Sequence, residues 1–413
     1  MRKDAELIIK NALETASPRK AVGDTIEKIK FSDGRIVAVA IGKAAWSMAK
    51  AAYDKLAETG DPADRLSGIV ITKYDHSRGE IPGFAICEAG HPVPDENSFA
   101  ATKKALQMVN GLSEKDTVLF LVSGGGSALF EKPLVSGEEL QDITNQLLAC
   151  GAAITETNTI RKRLSAVKGG KFALSCQPAK VISIILSDII GDPLDMIASG
   201  PAYPDSATAA DAERIVRKYD LKLSENAKKL LSMETPKELI NVTTYVTGSV
   251  SQLCASAVKT CMSLGYEPHF LTARLDCEAR EAGRFLGAIA KDHQNDGKSV
   301  AYVLGGETVV HLTGKGKGGR NQELALSAAA AIEDLDDTLV FSVGSDGTDG
   351  PTDAAGGIVD GTTAGKLREK GIMIDEVLHE NDAYNALKEA DGLIMTGPTG
   401  TNVNDLTVLL IRR

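Results

Sequence analysis

The sequence lacks the features of several protein classes. Its six cysteines form no CxxC pair, which argues against a zinc site or a disulfide framework and favours a reducing compartment, the cytoplasm. It has no basic tract and a net charge of −10, so we expect no nucleic-acid partner. Its longest apolar runs, such as residues 181–186, are too short to span a bilayer. The first 16 residues predict an amphipathic helix that contains acidic residues rather than a signal peptide. We therefore expect a cytoplasmic protein without a membrane partner.

The composition and patterning are typical of a globular α/β enzyme. The chain has 413 residues, of which 43% are hydrophobic, and its 40 glycines cluster in loops after apolar runs. Apolar runs alternate with helix-like segments, which predicts parallel strands joined by crossover helices. We predict two α/β domains: an N-terminal Rossmann-like parallel sheet with flanking helices at 1–236, and a C-terminal mixed α/β domain at 237–413. A strand predicted at 242–247 falls in the second domain.

The most informative segment is 118–130, VLFLVSGGGSALF. Five apolar residues predict a buried parallel strand, and Ser123, Gly124, Gly125, Gly126 and Ser127 follow it. Glycines let backbone N–H groups approach a ligand closely, and the two hydroxyls add donors, so the segment favours binding of a phosphate or a carboxylate. A tight turn that merely requires glycine is the alternative.

Two further residues follow predicted strands of the first domain. Lys43 comes after the strand IVAVAIG and opens a helix, where the helix dipole and the ammonium group would together attract an anion. A solvated surface lysine is the alternative. His91, in AGHPVPD, also follows a strand and is a candidate to line the same cleft, whereas the other histidines are interpreted as surface or structural residues.

Aspartates gather in two segments. Asp188 ends the strand predicted at 180–188 and Asp192 follows it, where one can act as a general base or a ligand for Mg²⁺. Helix capping is the alternative for both. Asp346, Asp349 and Asp353 lie in a glycine-rich loop after a strand and offer carboxylates for a divalent cation. Ordinary turn chemistry is the alternative for this loop.

The segment 303–326 contains a loop that is rich in glycine and lysine. Lys315 and Lys317, separated by glycines, predict a mobile cationic loop, although a flexible surface loop is the alternative. Arg320 is at the start of a helix, where its charge opposes the dipole and favours a nearby anion, and Asn321 follows it. The loop has no GxxxxGK[ST] pattern and is therefore not a P-loop. A second polar loop, TGPTGTNVNDL, occupies 396–406.

Taken together, these stretches resemble the class II glycerate 2-kinases over nearly the whole chain. The matching motifs, in family order, are AIGKAAWSMA, AGHPVPDENS, VSGGGSALF, LSDIIGDPLDMIASGP, GGETVVHLTGKGKGGRNQELAL, SVGSDGTDGPTDAAGG and TGPTGTNVNDL. The resemblance implies a C-terminal MOFRL domain and an active site in the cleft between two domains. It also implies phosphorylation of D-glycerate at its C2 hydroxyl by ATP with Mg²⁺, feeding carbohydrate metabolism such as non-phosphorylative sugar oxidation.

The resemblance and the residues together give the site that we expect. Lys43 and Arg320 match a lysine and an arginine that the family uses for substrate, and Asp188 is our first choice as base. The substrate and phosphate group comprises the bend 123–127, His91, Lys315, Lys317 and Asn321, the metal group comprises Asp192, Asp346, Asp349 and Asp353, and the nucleotide group comprises Gly305, Gly306, Glu307, Thr399, Asn402 and Asn404. The expected partners are D-glycerate and ATP, and a homodimer is left open.

Three alternatives remain at this stage. A hydroxypyruvate reductase would use NAD(P)H and would need a GxGxxG turn, but Leu129 occupies the place of the third glycine after the pair at 124 and 126. A glycerate 3-kinase would share the chemistry and differ only in the hydroxyl that is phosphorylated. A sensor that binds sugar acids or nucleotides without turnover would explain pockets but not the number of charged groups on loops.

Overall fold

The structure is a computed structural model that describes residues 1–58, 65–187, 191 and 193–413. Its helices are α1 (Arg2–Ala16), α2 (Pro18–Ile26), α3 (Ala45–Glu58), α4 (Glu96–Val109), α5 (Gly126–Leu129), α6 (Gly137–Ala149), α7 (Ile154–Leu164), α8 (Lys171–Ser175), α9 (Ala209–Tyr219), α10 (Glu225–Leu231), α11 (Val250–Ser263), α12 (Ala279–His293), α13 (Arg320–Ala331), α14 (Thr363–Glu369), α15 (Ile374–His379) and α16 (Ala383–Glu389). Its strands are β1 (Ile36–Ile41), β2 (Leu66–Lys73), β3 (Phe84–Ala89), β4 (Thr117–Val122), β5 (Lys180–Leu186), β6 (Val242–Gly248), β7 (Glu267–Leu275), β8 (Val300–Gly306), β9 (Thr338–Gly344), β10 (Gly356–Asp360), β11 (Leu393–Ile394) and β12 (Asp405–Ile411). No helix in these described ranges is long and apolar enough to cross a membrane.

The chain folds into two compact units. The parallel-sheet unit comprises 22–186 and 193–247, and the mixed-sheet unit comprises 1–21 and 248–413 together with residues 187 and 191. This division differs from the predicted boundary at 236 in two ways. The strand expected to open the second domain is β6, which hydrogen-bonds β5 in the first sheet. The first 21 residues pack with the C-terminal part of the chain, because the apolar face of α1 is covered by α11.

The parallel-sheet unit has the strand order β3-β2-β1-β4-β5-β6. The pairs β3/β2, β2/β1, β1/β4 and β4/β5 are all parallel. Strands β1 and β4 are buried along their whole length, as expected for strands covered on both faces. This order is that of a doubly wound sheet, and it confirms the predicted Rossmann-like fold.

The mixed-sheet unit has the strand order β11-β10-β9-β12-β8-β7. Only β7 and β8 pair in parallel among the described pairs, whereas β12 runs antiparallel to both β8 and β9. One apolar cluster joins one face of this sheet to α12–α16, and a second joins the other face to α1 and α11. The unit is therefore a three-layer α/β structure, which confirms the predicted mixed α/β fold class.

Candidate functional site

The parallel sheet has a topological switch point between β1 and β4. These strands are neighbours, but the chain leaves β1 towards β2 on one side and leaves β4 towards β5 on the other. Their last residues, Ile41 and Val122, are register partners. In open α/β sheets, ligands bind outside the carboxyl ends of the strands at such a point. Both Lys43 and the triple-glycine bend therefore begin at the position where the fold favours a ligand.

The two connections that leave the switch point are interlocked. Gly42 has φ +109°, and a Cβ atom there would lie 2.3 Å from Oγ of Ser123. The hydroxyl of Ser123 donates to the carbonyl of Ile41 (3.2 Å) and accepts from the N–H of Ala44 (3.0 Å), and the residue is buried. The Ser123 hydroxyl thus ties the strand ends together, and this corrects the expectation that it is a donor to a ligand.

Lys43, His91 and the bend converge. The backbone N–H of Lys43 donates to the carbonyl of Gly124 (2.8 Å). Gly125 has φ +86°, and a Cβ atom there would lie 3.0 Å from the ring of His91 and 3.2 Å from Cγ of Lys43. Burial and the nearby charge of Lys43 hold the pKa of His91 below its usual range, so its ring is neutral near pH 7. No carboxylate in the described ranges forms an ion pair with the ammonium group of Lys43, which leaves that charge available to an anion.

Buried charges support the far end of the bend, and sequence reasoning did not find them. The carbonyl of Ser127 accepts from Nη2 of Arg161 (3.1 Å) and from Nζ of Lys168 (2.7 Å), while its hydroxyl bonds that of Ser199 (3.0 Å). Lys168 is fully buried beside Glu131 (3.2 Å), and burial lowers its pKa to about 8. The available signal was the run of basic residues at 161–163, which a solvated helix face would also explain.

In the mixed-sheet unit, Arg320 lies at the edge where β8 ends and β12 begins, since Gly306 and Asp405 are register partners. Its Nε and Nη2 donate to the two carboxylate oxygens of Asp405 (2.6 and 3.1 Å), and Nη1 donates to Glu307 (2.9 Å). Asn404 donates to the other oxygen of Glu307 (3.1 Å). The carboxylates of Asp405 and Glu307 therefore supply at least part of the negative charge that was predicted beside Arg320. Two of the five guanidinium N–H groups remain, and about one-third of the side chain is exposed.

The glycines of the 314–319 loop allow close packing. A Cβ atom at Gly314 would lie 2.3 Å from Cα of Glu380, and one at Gly316 would lie 2.5 Å from Cβ of Asp382. The N–H of Gly316 donates to the carbonyl of Glu380 (2.8 Å). The loop was expected to be mobile because of these glycines, but the structure shows that they are needed where two backbone segments touch.

The two lysines of this loop are exposed and lie outside the Arg320 cluster. The backbone N–H of Lys317 donates to the carboxylate of Asp382 (2.8 Å), and its ammonium group lies 4.2 Å from the centre of the Tyr384 ring. Lys315 is exposed. Their predicted role in binding phosphate therefore requires side-chain movement towards a ligand.

Asp349 and Asn321 have structural contacts. Both oxygens of Asp349 accept from the start of α13, from the N–H groups of Asn321 (3.2 Å) and Gln322 (2.9 Å). Burial raises the pKa of Asp349 to about 6 despite these hydrogen bonds. Asn321 is buried and accepts from the hydroxyl of Ser342 (2.6 Å). Asp349 caps a helix, and the side chain of Asn321 faces the core rather than a substrate.

The predicted metal ligands do not come together. Asp346 accepts from the backbone N–H two residues later, and Asp353 accepts from the hydroxyl of Tyr384 (2.7 Å) at an exposed position. Within the ranges that the structure describes, no group of three or more His, Cys, Asp and Glu side chains is placed to hold a metal ion. Spacing along a loop does not fix side-chain direction, which is why the sequence pattern suggested such a group. Asp188 and Asp192 lie outside the described residues.

Among the predicted nucleotide-binding residues, Asn404 contacts Glu307, Thr399 contacts Ser345, and the role of Asn402 stays a prediction. Gly305 and Gly306 end β8, and a Cβ atom at Gly306 would lie 2.2 Å from the carbonyl oxygen of Leu275. Asn404 contacts Glu307, and its Oδ1 atom is buried without a hydrogen-bond donor among the described residues. The hydroxyl of Thr399 donates to a neighbouring backbone carbonyl (2.5 Å).

A cavity of about 800 Å³ adjoins the Arg320 cluster within the mixed-sheet unit. Its lining combines apolar side chains with charged side chains and glycine backbone. The lining residues are Glu307, Thr308, Val309, Val310, Leu312, Gly314, Gly316, Gly318, Gly319, Arg320, Glu323, Asp349, Gly350, Pro351, Asn381 and Ala383.

The fold and these loop clusters define a two-domain α/β protein with a glycine-lined bend in one unit and an arginine cluster in the other. Family models match residues 4–232 (Domain of unknown function, DUF4147) and residues 300–405 (MOFRL family). The chain is similar to the D-glycerate 2-kinase of Thermotoga maritima, with 51% identity over 100% of this chain and 98% of the relative. It is also similar to the glycerate 2-kinase of Pyrococcus horikoshii, with 42% identity over 98% and 96%.

The structural comparison agrees with the sequence comparisons. The crystal structure of the Thermotoga maritima glycerate kinase superposes with a TM-score of 0.95, covering 99% of both chains at 51% identity. The chain belongs to the glycerate kinase family with a C-terminal MOFRL domain, as its motifs predicted.

Proposed function

We propose that this protein transfers the γ-phosphoryl group of ATP to the C2 hydroxyl of D-glycerate, giving 2-phosphoglycerate and ADP. The observation that carries the proposal is the convergence of Lys43, His91 and Gly125 at the topological switch point, in a chain that belongs to the glycerate kinase family. The names of the two relatives, both 2-kinases, support C2 rather than C3 as the position of attack.

In this proposal, the switch point binds an anionic group of the reactants. Phosphoryl transfer needs the protein mainly for positioning and for neutralising charge. The ammonium group of Lys43 supplies a full positive charge, and the backbone of the bend at 124–126 can approach a phosphate or a carboxylate without side chains in the way. The neutral ring of His91 offers a hydrogen bond to the same group without adding charge.

Arg320 is the second proposed anion-binding residue. Asp405 holds one edge of its guanidinium group through two hydrogen bonds, so the plane is fixed before a ligand arrives. The two remaining N–H groups can bind the glycerate carboxylate or the transferring phosphoryl group. Asp188, which lies outside the described residues, stays the proposed base for the C2 hydroxyl.

In this proposal Mg²⁺ arrives with ATP and is held mainly by the phosphates, because the described residues offer no group of three ligands for it. Mg²⁺ in kinases is held by substrate phosphates and one or two carboxylates, with several waters retained. Glu307 is exposed enough to contribute, and the unpaired oxygen of Asn404 lies beside it. A bound Mg²⁺ would supply neutralisation of the phosphate charge. Asp192 and Asp346 stay proposals as further ligands.

The test is ³¹P NMR of the product formed from ATP, Mg²⁺ and D-glycerate. Phosphate on C2 is coupled to one proton and should give a doublet, whereas phosphate on C3 is coupled to two and should give a triplet. A triplet would overturn the C2 assignment. An unchanged ATP spectrum would overturn the kinase assignment.

Substitutions test the two cationic residues. We expect Lys43→Met and Arg320→Met each to lower kcat/KM by at least 100-fold, because each removes a charge that faces the reactants. Lys50→Met and Arg284→Met are the matched controls, since both residues make ion pairs on helix surfaces of the same units. Near-normal kinetics in both site variants would refute their roles.

The described turn after β1 argues against the reductase alternative. In this strand order, a dinucleotide fingerprint belongs in the turn after β1, which here reads Gly42-Lys43-Ala44-Ala45-Trp46-Ser47 and lacks two of the three glycines. An assay of NAD(P)H oxidation with hydroxypyruvate separates the two activities. A homodimer, a cytoplasmic location and the absence of nucleic-acid partners stay predictions.

A further inference from the structure

The cavity of the mixed-sheet unit has the size and wall chemistry of a small-molecule site. Its volume of about 800 Å³ lies in the range of roughly 300–1,000 Å³ that is usual for such sites. It lies between the segment that follows β8 and the segment that precedes α13, with Pro351 and Ala383 on the other side. Its size exceeds what a three-carbon acid requires.

The charge of the lining argues against phosphate or glycerate inside the cavity. Three carboxylates line it, those of Glu307, Glu323 and Asp349, against the single guanidinium group of Arg320. That guanidinium group is already paired with Asp405 and Glu307. An anion is therefore favoured only beside the two remaining N–H groups of Arg320 and is repelled by the buried carboxylates of Glu323 and Asp349. A neutral group rich in O–H or N–H donors would instead be attracted by these carboxylates.

The apolar side of the cavity is unusually exposed. Val309 is 56% exposed and Leu312 is 79% exposed, and both line the opening with Val310. Covering apolar surface stabilises a complex by about 25 cal/mol per Å², and a flat aromatic ring covers such side chains efficiently. The opening therefore favours a planar, largely apolar group.

Glu323 supplies an unmet acceptor at the buried end. The side chain is 2% exposed, and one of its oxygens accepts from Nδ2 of Asn381 (3.2 Å). The other oxygen has no hydrogen-bond donor among the described residues, and Nε of Arg280 lies 3.5 Å away from it. A buried acceptor without a donor is costly, so a ligand that supplies an O–H or N–H group would be stabilised there.

We propose that this cavity binds the nucleoside part of the phosphate donor. The base covers Val309 and Leu312, the donor groups of the nucleoside are directed towards Glu323, and the phosphates stay outside the buried acidic lining, on the side of Arg320 and Glu307. This inference rests on the proposed function, because it takes a nucleoside triphosphate as the phosphate donor.

The decisive variant is Val309→Ser/Leu312→Ser, which removes apolar surface at exposed positions without changing charge. We expect it to weaken ADP binding by about tenfold in isothermal titration calorimetry and to raise the KM for ATP to a similar extent. Binding of inorganic tripolyphosphate, the KM for D-glycerate and kcat at saturating ATP should stay within twofold. Met262→Ser is the matched control, since Met262 is 62% exposed on α11 of the same unit and does not line the cavity.

Glu323→Gln tests the buried acceptor. We expect it to weaken ADP binding by at least fivefold and to leave the affinity for tripolyphosphate unchanged.

Wild-type ADP affinity in the Val309→Ser/Leu312→Ser variant would overturn the inference. The proposed function would still stand if that variant phosphorylates glycerate with ATP. Equal loss of ADP and tripolyphosphate affinity would also overturn it, because the cavity would then be binding phosphate. A wild-type protein that binds ADP through Val309 and Leu312 but never phosphorylates glycerate would instead refute the proposed function alone.

Discussion

Residues at the switch point are the ones that we propose to bind the reactants, and their close packing leaves no room for a larger side chain at Gly125. Gly125 has a positive φ and lies directly below His91 and Lys43. A side chain there would both strain the backbone and push into the two groups that we propose to bind the anion.

Gly125→Ala should therefore raise the KM for substrate by at least tenfold. Gly111→Ala is the matched control, because Gly111 has a similar φ of +72° but no atom within 4 Å of a Cβ at that position. Both variants should lose about 1 kcal/mol of the free energy of unfolding from backbone strain. Steady-state kinetics and urea unfolding of the two proteins give the comparison, and equal kinetic effects would contradict a local role for Gly125.

The buried pair of Lys168 and Glu131 gives a residue-scale prediction about stability. Lys168→Met leaves the carboxylate of Glu131 buried without its partner, so the free energy of unfolding should fall by about 3–5 kcal/mol. Adding Glu131→Leu removes the unpaired charge and should restore part of that loss. Urea unfolding measures both variants. If the double variant is no more stable than the single one, the loss comes from the carbonyl of Ser127 rather than from the charge pair.

At the scale of elements, the start of α13 is the most informative case. The helix begins with Arg320, and the carboxylate of Asp349, from a distant loop, accepts from its first N–H groups. Such a carboxylate interacts favourably with the positive end of the helix dipole. Burial nevertheless raises the pKa of Asp349 to about 6, so burial outweighs the dipole.

This raised pKa predicts the pH dependence of stability. Between the unfolded pKa of about 3.9 and the folded pKa, the folded state binds more protons than the unfolded state, so the contribution of Asp349 to the free energy of unfolding falls as the pH rises. The change is at most about 3 kcal/mol. Asp349→Asn should abolish it, as measured by urea unfolding at pH 4 and pH 7.

The control for this pH experiment is Asp353→Asn. Asp353 is exposed in the same loop, and the hydroxyl of Tyr384 holds its pKa below the usual range, so its contribution has the opposite sign. A pH dependence that is flattened equally by both substitutions would show that Asp349 is not its source.

At the scale of the whole molecule, the packing of α1 makes the stability of the mixed-sheet unit depend on the first residues of the chain. Ile8 is fully buried in the cluster that joins α1 and α11 to the mixed sheet, whereas Leu7 is 40% exposed on the same helix. Ile8→Ala should cost about 2–5 kcal/mol of the free energy of unfolding of that unit, and Leu7→Ala much less. Hydrogen exchange should increase in α11 for Ile8→Ala. An increase of the same size in β1 and β4 would contradict the division into units.

Much of the fold could be predicted because its strands are continuous apolar runs with clear ends. Strand β4 and the bend that follows it were predicted where they occur, since a short apolar run that ends in glycines is typical of a buried parallel strand. Strand β10 was not predicted because Gly356 and Gly357 resemble the end of a glycine-rich loop, and their pairing with β9 and β11 makes them a strand. Strand β6 was predicted to belong to the second domain, but it pairs with β5 in the first sheet. The local sequence does not show which strand a given strand pairs with.

The candidate site was predicted only in part, because the sequence shows local patterns but not contacts between distant segments. Residue types at strand ends indicated Lys43 and Arg320, whose roles stay predictions, but no local pattern indicates that Asp405, 85 residues further on, pairs with Arg320. Nor does spacing show that Asn321 faces the core or that Asp349 caps a helix. Partners that are distant along the chain and side-chain directions within loops depend on tertiary packing.

The mixed-sheet unit is built from the two ends of the described chain, with the parallel-sheet unit inserted between them. During translation, residues 22–247 leave the ribosome before most of the surface that α1 must cover has been made. The apolar face of α1 therefore stays without its partner at least until α11 is synthesised. The last 166 residues thus set the moment at which the first 21 can fold, so a translational pause or a truncation late in the message would leave an aggregation-prone helix at the opposite end of the polypeptide.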